Sequence, residues 1–101
     1  MIEVFLKGRD DSYYASGYYD EISKKLVVKK GAHVKTSIDQ FKGSNSIAKN
    51  RAGKLHNGIL IEDCAFNSAS TAANFITGRS TNGLIAWKDK NGTSLKKILN
   101  T

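Results

Sequence analysis

Residues Phe66-Asn-Ser-Ala-Ser-Thr-Ala-Ala-Asn-Phe-Ile-Thr-Gly78 decide the fold. Ser68 is a helix-capping residue type, its hydroxyl placed to accept from a free N–H of the first turn. Ala69, Ala72, Ala73 and Ile76 then recur at i, i+3, i+4 and i+7, the spacing of one helical face. Gly78 stops the run with a residue that tolerates the left-handed region. This is the clearest helix in the chain, and the other elements are read around it. Downstream, Leu84–Trp87 reads as a last strand and Asn91-Gly92 as a turn. Thr93 or Ser94 then caps a short final helix with Leu95, Ile98 and Leu99 inward and Lys96 and Lys97 outward.

Upstream, Ile2, Val4 and Leu6 alternate with Glu3 and Phe5, the period of a half-buried strand. Gly8 to Ser12 is a polar loop. Tyr14–Tyr19 and Lys25–Lys30 bracket Asp20-Glu21-Ile22-Ser23 as a hairpin, and Gly31 ends its second strand. Ser37–Phe41 holds at most one irregular helical turn. Ser44 or Ser46 is expected to cap a helix carrying Ile47, Ala48, Arg51 and Leu55, closed by Asn57-Gly58. Ile59-Leu60-Ile61 is apolar and branched and reads as a strand, and Phe66 as the start of another element. The sum is a small α+β domain over residues 1–101, a mostly antiparallel sheet with two or three helices packed on one face.

The chain has 101 residues, 40% of them hydrophobic and 25% charged, the composition of one globular domain. No apolar run approaches the ~20 residues that span a bilayer, so no membrane partner is expected. Met1-Ile-Glu-Val-Phe-Leu lacks the basic start of a secretory signal, and the lone Cys64 fits a reducing compartment; a cytoplasmic protein is expected.

Sixteen Lys and Arg against nine Asp and Glu give +7, unevenly distributed. Residues 1–21 set Lys7 and Arg9 against Glu3, Asp10, Asp11, Asp20 and Glu21, a sum of −3. Residues 22–61 set Lys24, Lys25, Lys29, Lys30, Lys35, Lys42, Lys49, Arg51 and Lys54 against Asp39 alone, a sum of +8. That asymmetry suits a polyanion, because each cation near a phosphate releases condensed counterions. A lysine-rich solvated surface is the competing reading.

The run from Phe66 through Gly78-Arg-Ser-Thr-Asn-Gly83, Leu84-Ile-Ala-Trp87 and Gly92-Thr-Ser-Leu95 resembles a prokaryotic domain of unknown function found behind modification methylases and GIY-YIG nucleases. It is also similar to the restriction-associated methylase module known as the RAMA domain. A Ser-Pro-Ser-like cap, an Ala-Ala helix, a Gly-x-Ser-x-Asn-Gly loop, a tryptophan strand and a Gly-x-x-Leu ending follow in that order. Leu26-Val-Val-Lys-Lys-Gly31, Arg51, Leu55 and Gly58 fit the same family's first half, so the resemblance covers about residues 14–99. Ala69 stands where a proline is usual, Leu84 where a large aromatic often follows, and Gly31-Ala32 where the family has Gly-Ser. The resemblance implies a DNA-contacting role, with recognition of modified bases in a restriction or defence setting.

No catalytic constellation is legible. His33 and His56 lie in separate segments without acidic or cysteine partners at ligand spacing, so no metal site is expected. Cys64 sits beside Asp63, and neighbouring carboxylates disfavour a thiolate. The pairs Asp10-Asp11, Asp20-Glu21 and Glu62-Asp63 are adjacent, point to opposite sides of an extended chain, and suit turns. No phosphate-cradling or dinucleotide fingerprint occurs, so no enzyme and no cofactor are expected. Arg51 shares a face with Ile47 and Leu55 and is expected to be partly buried, its guanidinium held by carbonyls or a carboxylate.

The Gly78–Gly83 loop carries a guanidinium, two hydroxyls and an amide, the inventory of a phosphate or base-edge contact. It also reads, compatibly, as a left-handed stop followed by an Asx-type turn that aims Trp87 into the core. Of Tyr13, Tyr14, Tyr18 and Tyr19, two face each side of the hairpin; the outward pair is placed to stack bases or, as tyrosine commonly does in strands, to cover the rim of a small core. The expected function is therefore a non-catalytic binding module for DNA. Lys24, Lys25, Lys29, Lys30, Lys42, Lys49 and Lys88 would hold phosphate, and Arg79, Ser80 and Asn82 would reach toward bases. Two alternatives stay open: a small phage-type inhibitor meeting an acidic surface on a host defence protein, and a sponge binding a nucleotide signal in an oligomer such as a homodimer.

Overall fold

Alternation in the first strand sets the two faces of the sheet. In the computed structural model, which describes residues 1–100, β1 (Ile2–Lys7) buries Val4 and Leu6 and turns Glu3, Phe5 and Lys7 outward. It pairs antiparallel with β2 (Tyr14–Tyr19), Val4 opposite Gly17 and Leu6 opposite Ala15. β3 (Leu26–Val28) follows on β2, with Gly17 opposite Val28 and Tyr19 opposite Leu26. The expected hairpin thus forms, its Asp20–Lys25 turn closed by main-chain bonds between Asp20 and both Lys24 and Lys25.

α1 (Ser44–Arg51) comes next, then β4 (Leu55–His56), β5 (Ile59–Leu60) and β6 (Cys64–Phe66). The sheet order is β1-β2-β3-β6, antiparallel throughout, with β4 and β5 as a separate two-stranded ribbon. α2 (Ala69–Thr77), α3 (Gly83–Ala86) and α4 (Leu95–Leu99) complete the α+β fold. α2 packs over β2, β3 and β6, and wholly buried Leu26, Val28, Ala72, Ala73, Ile76 and Trp87 fill the space between. Each fully buried large side chain contributes ~1.5–3 kcal/mol relative to exposure.

α2 is built as its sequence dictates. The Ser68 hydroxyl accepts from the Thr71 N–H at 3.1 Å, and Gly78 ends the helix at φ 74°. A side chain at Gly78 would also run into the Ser37 carbonyl, so backbone conformation and close approach both require glycine there.

Four local expectations are corrected. Leu84–Trp87 is not a strand: Asn82 caps α3 by accepting from the Leu84 N–H at 3.1 Å, and only Trp87-Lys88 runs extended. Leu84 and Ile85 are consequently exposed, while Trp87 is wholly buried. Asn57-Gly58 does not close a helix; with φ of 52° and 78° it makes the two-residue turn between β4 and β5, and Leu55 belongs to β4. Both central residues at positive φ is the turn that matches strand twist, and Asn-Gly is its strongest signal. Neither Ser44 nor Ser46 caps α1, which starts after Gly43 with no side-chain cap. Phe66 closes the fourth strand of the sheet rather than starting an element. Ser37–Phe41 is irregular, within the expectation of at most one helical turn, and the stretch is tied to the end of α2 by the Lys35 and Asp39 N–H groups, which donate to the Ile76 and Gly78 carbonyls.

Candidate functional site

The helices lie against one face of the sheet, so the chemistry on the other is set by strand register. Phe5 opposes Ser16, Lys7 opposes Tyr14, and Tyr18 opposes Val27, all outward. Single bridges extend these rows: Phe5 pairs with Lys88, and Tyr14 with His33, which pairs in turn with Ile59. Directly opposed residues share a face. Lys88 therefore joins Phe5 on one row, and Lys7, Tyr14, His33, Ile59 and His56 form another.

The outward face is aromatic and basic. The Tyr14 and His33 rings stack, centroids 5.1 Å apart and planes 22° off parallel. The Lys29 ammonium lies 5.5 Å from the centre of the Tyr18 ring. Phe5 is 37% exposed and Tyr14 49%. The outward tyrosines are thus Tyr14 and Tyr18, while Tyr19 is buried and Tyr13 packs half-buried on the core. A depression of about 530 Å³ opens on this face, lined by Phe5, Leu6, Lys7, Asp11, Tyr14, Ala15 and His33.

At the same end of the sheet a second cleft, of about 520 Å³, is lined by Lys7, Gly8, Arg9, Ser12, Tyr13, Lys35 and Arg79. Four cations converge there, and none of the lining residues is acidic. Three separate segments supply them. Lys7 ends β1 and Arg9 starts the turn after it. Lys35 is anchored through its N–H to the Ile76 carbonyl, and Arg79 follows the end of α2. Asp10 and Asp11 make the adjoining left-handed turn at φ 55° and 56°. Asp11 reaches the Lys7 ammonium at 3.1 Å, but both side chains are largely exposed, and such a pair holds ~0–1 kcal/mol. Lys7 is therefore available to another anion.

The residues singled out from the sequence do not gather at one place. Lys24 (φ 65°) and Lys25 stand exposed on the β2–β3 turn, at the opposite end of β2 from Tyr14, ~17 Å away by strand rise. Lys29 lies on the open face, and the Lys30 N–H donates to the Asp63 carboxylate at 2.8 Å. Lys42 and Ser80 line a third groove, beside α1 and α2. Lys49 is exposed on α1. Asn82 commits its side-chain oxygen to capping α3. Only Arg79 enters the cationic cleft, and Lys88 joins the aromatic face.

The signature loop has a structural use. A side chain at Gly83 would overlap the carbonyl of Ala69, and the Gly83 N–H donates to the Ser70 hydroxyl at 3.0 Å. The loop is thereby drawn onto the first turn of α2, with Thr81 N–H bonded to the Asn74 side chain at 2.8 Å.

Lys7, Arg9, Lys35, Phe5 and His33 escaped the sequence reading. Phe5 and Lys7 carried a usable signal, since both alternate against Val4 and Leu6. His33 and Lys35 lie in an irregular stretch where no periodicity assigns a face.

Two other groups settle into structural settings. Arg51 is buried, donating from Nε at 3.0 Å and Nη2 at 2.7 Å to the Phe75 carbonyl, with burial pushing its pKa down. Burial likewise pushes the Cys64 thiol up; Glu62 and Asp63 add to that and Lys54 opposes it. Among the described residues no group of three or more His, Cys, Asp or Glu could hold a metal ion. No helix among them is long and apolar enough to cross a membrane.

A comparison with curated proteins and one with solved structures each gave no match. A family model of a domain of unknown function, DUF4357, matches residues 5–99, which take in the open sheet face, the cationic cleft and the Gly78–Gly83 loop. The chain belongs to the DUF4357 family of domains of unknown function.

Proposed function

We propose that this chain is a non-catalytic module that binds DNA, with the cationic cleft as its phosphate site. The convergence of Lys7, Arg9, Lys35 and Arg79 around about 520 Å³ of space without a lining carboxylate carries the reading. Guanidinium groups suit phosphate because their fixed fork of donors matches two oxygens at once. Exposed Lys24, Lys25, Lys42 and Lys49 add a diffuse positive field that steers a polyanion. The resemblance of the Phe66–Leu95 signature to modules accompanying modification methylases extends the proposal to modified DNA in a restriction or defence setting.

The test is fluorescence anisotropy with labelled duplexes, unmodified and adenine-methylated, at ~50 and ~200 mM salt. Four phosphate contacts correspond to a loss of about 100-fold in affinity across that range. Preference for the methylated duplex would support modified-base recognition; absence of binding at the lower salt to these duplexes and to their separated single strands alike would overturn the reading. A protein partner is the second reading, favoured by Leu84 and Ile85, which are 37% and 50% exposed side by side on α3.

A further inference from the structure

We infer that the open face of the sheet takes unpaired bases, so that the DNA bound is single-stranded. This rests on the DNA reading above and names the form of nucleic acid that the site accepts.

An outward sheet face exposed only to water is usually polar. Here its rows carry Phe5, Tyr14, Tyr18 and His33, with Lys29 drawn over the Tyr18 ring. The depression between Phe5, Tyr14 and His33, about 530 Å³, lies within the range of pockets that hold small ligands, and a single nucleobase is a guest of that kind. Stacking on His33 fixes the Tyr14 ring before any ligand arrives, so little side-chain freedom is lost on binding.

Lys7 lines both this depression and the cationic cleft. A nucleotide whose base lies against Tyr14 therefore has its phosphate beside Lys7 and the guanidinium groups beyond it. Ring stacking needs a base with a free face, which a paired duplex offers only at its ends, whereas every base of a single strand has one. Asp11 lines the rim of the depression, its largely exposed carboxylate only weakly paired with Lys7, and Glu3 lies opposite Tyr18, away from the Tyr14 row.

The experiment compares the full chain with its Tyr14→Ala and Tyr14→Trp variants. A 5′-labelled single strand of about 15 thymidines and a mixed-sequence duplex of equal length are titrated at ~50 mM salt. The single strand is expected to bind at least tenfold tighter. Tyr14→Ala is expected to weaken single-strand binding between about fivefold and 150-fold, the value of one stacked base, and to leave duplex binding unchanged. Melting curves of both variants are expected to match that of the parent chain, since the position is half-exposed. The indole introduced by Tyr14→Trp is expected to be quenched by the single strand, whereas Trp87 is wholly buried and contributes a constant background. Equal affinity for both forms, with Tyr14→Ala silent and no quenching, would overturn this inference and leave the DNA reading standing. No binding to either form would overturn both.

Discussion

The indole Nε1 of Trp87 donates to the main-chain carbonyl of Ala69 at 3.0 Å, joining the end of α3 to the first turn of α2. The ring is wholly buried, so this bond is its means of satisfying a buried donor. Trp87→Phe removes the donor and part of the ring volume together. Urea denaturation should show a loss of about 2–3 kcal/mol, and Trp87→Ala a loss of about 3–5 kcal/mol.

Gly83 opens α3, where alanine would ordinarily stabilise a helix by ~0.5–1 kcal/mol. Its φ is not positive, so close approach to the Ala69 carbonyl is the remaining constraint. Gly83→Ala should therefore destabilise by about 1–3 kcal/mol, the sign opposite to helix propensity. The same denaturation series measures it.

Arg51 and Arg79 should separate cleanly. Arg51 serves the α1–α2 contact through the Phe75 carbonyl, so Arg51→Met should cost about 2–4 kcal/mol of stability. Arg51→Lys, which lacks the fork, should also destabilise while leaving DNA affinity intact. Arg79→Ala should do the reverse, leaving the melting temperature in place and lowering the salt slope of DNA binding by about one. Lys24→Ala and Lys25→Ala, at the far end of the sheet, should change affinity by less than about threefold.

Asp20 accepts from the Ile22 N–H at 2.9 Å, and hydrogen bonds from Ile22 and Ser23 lower its pKa from the ordinary 3.8. A carboxyl depressed in the folded state stabilises above its unfolded value and loses that contribution as pH falls through the folded one. The turn should therefore weaken only below about pH 4. Asp20→Asn keeps an acceptor and should flatten this part of the acid transition, read as melting temperature between about pH 5 and pH 2.

Cys64 should alkylate slowly. Its raised pKa leaves less thiolate at any given pH, so iodoacetamide should react faster with urea-unfolded protein than with folded protein at pH 8. Lys54→Ala removes the cation that opposes the shift and should slow the folded reaction further.

Local signals were legible where one residue settles its own backbone. Ser68 and Gly78 bound α2, Ser94 accepts from the Lys97 N–H and starts α4, and the alternation of Val4 and Leu6 sets the inner face of β1. Asn57-Gly58 misled because both of its uses need positive φ, and only the neighbouring β4 and β5 distinguish a hairpin from a helix end. Leu84-Ile-Ala-Trp87 misled because a short apolar run has no period of its own; the Asn82 cap and the α2 surface made it helical. The candidate site was less legible still. Charge summed along the chain assigns −3 to residues 1–21, yet that segment supplies Lys7 and Arg9 to the cleft while Asp20 and Glu21 sit on the turn at the other end of the sheet.

Propensity, period and capping act within a few residues, and they carry the α+β class, the capped α2 helix, the tyrosine hairpin and the buried Trp87. The shared cleft of Lys7, Arg9, Lys35 and Arg79, and the shared face of Phe5, Tyr14 and His33, exist only once the chain is folded. Those groupings depend on strand register and on where an irregular segment lies against the end of α2. Both are fixed by long-range hydrogen bonds and core packing, and no local residue pattern encodes them.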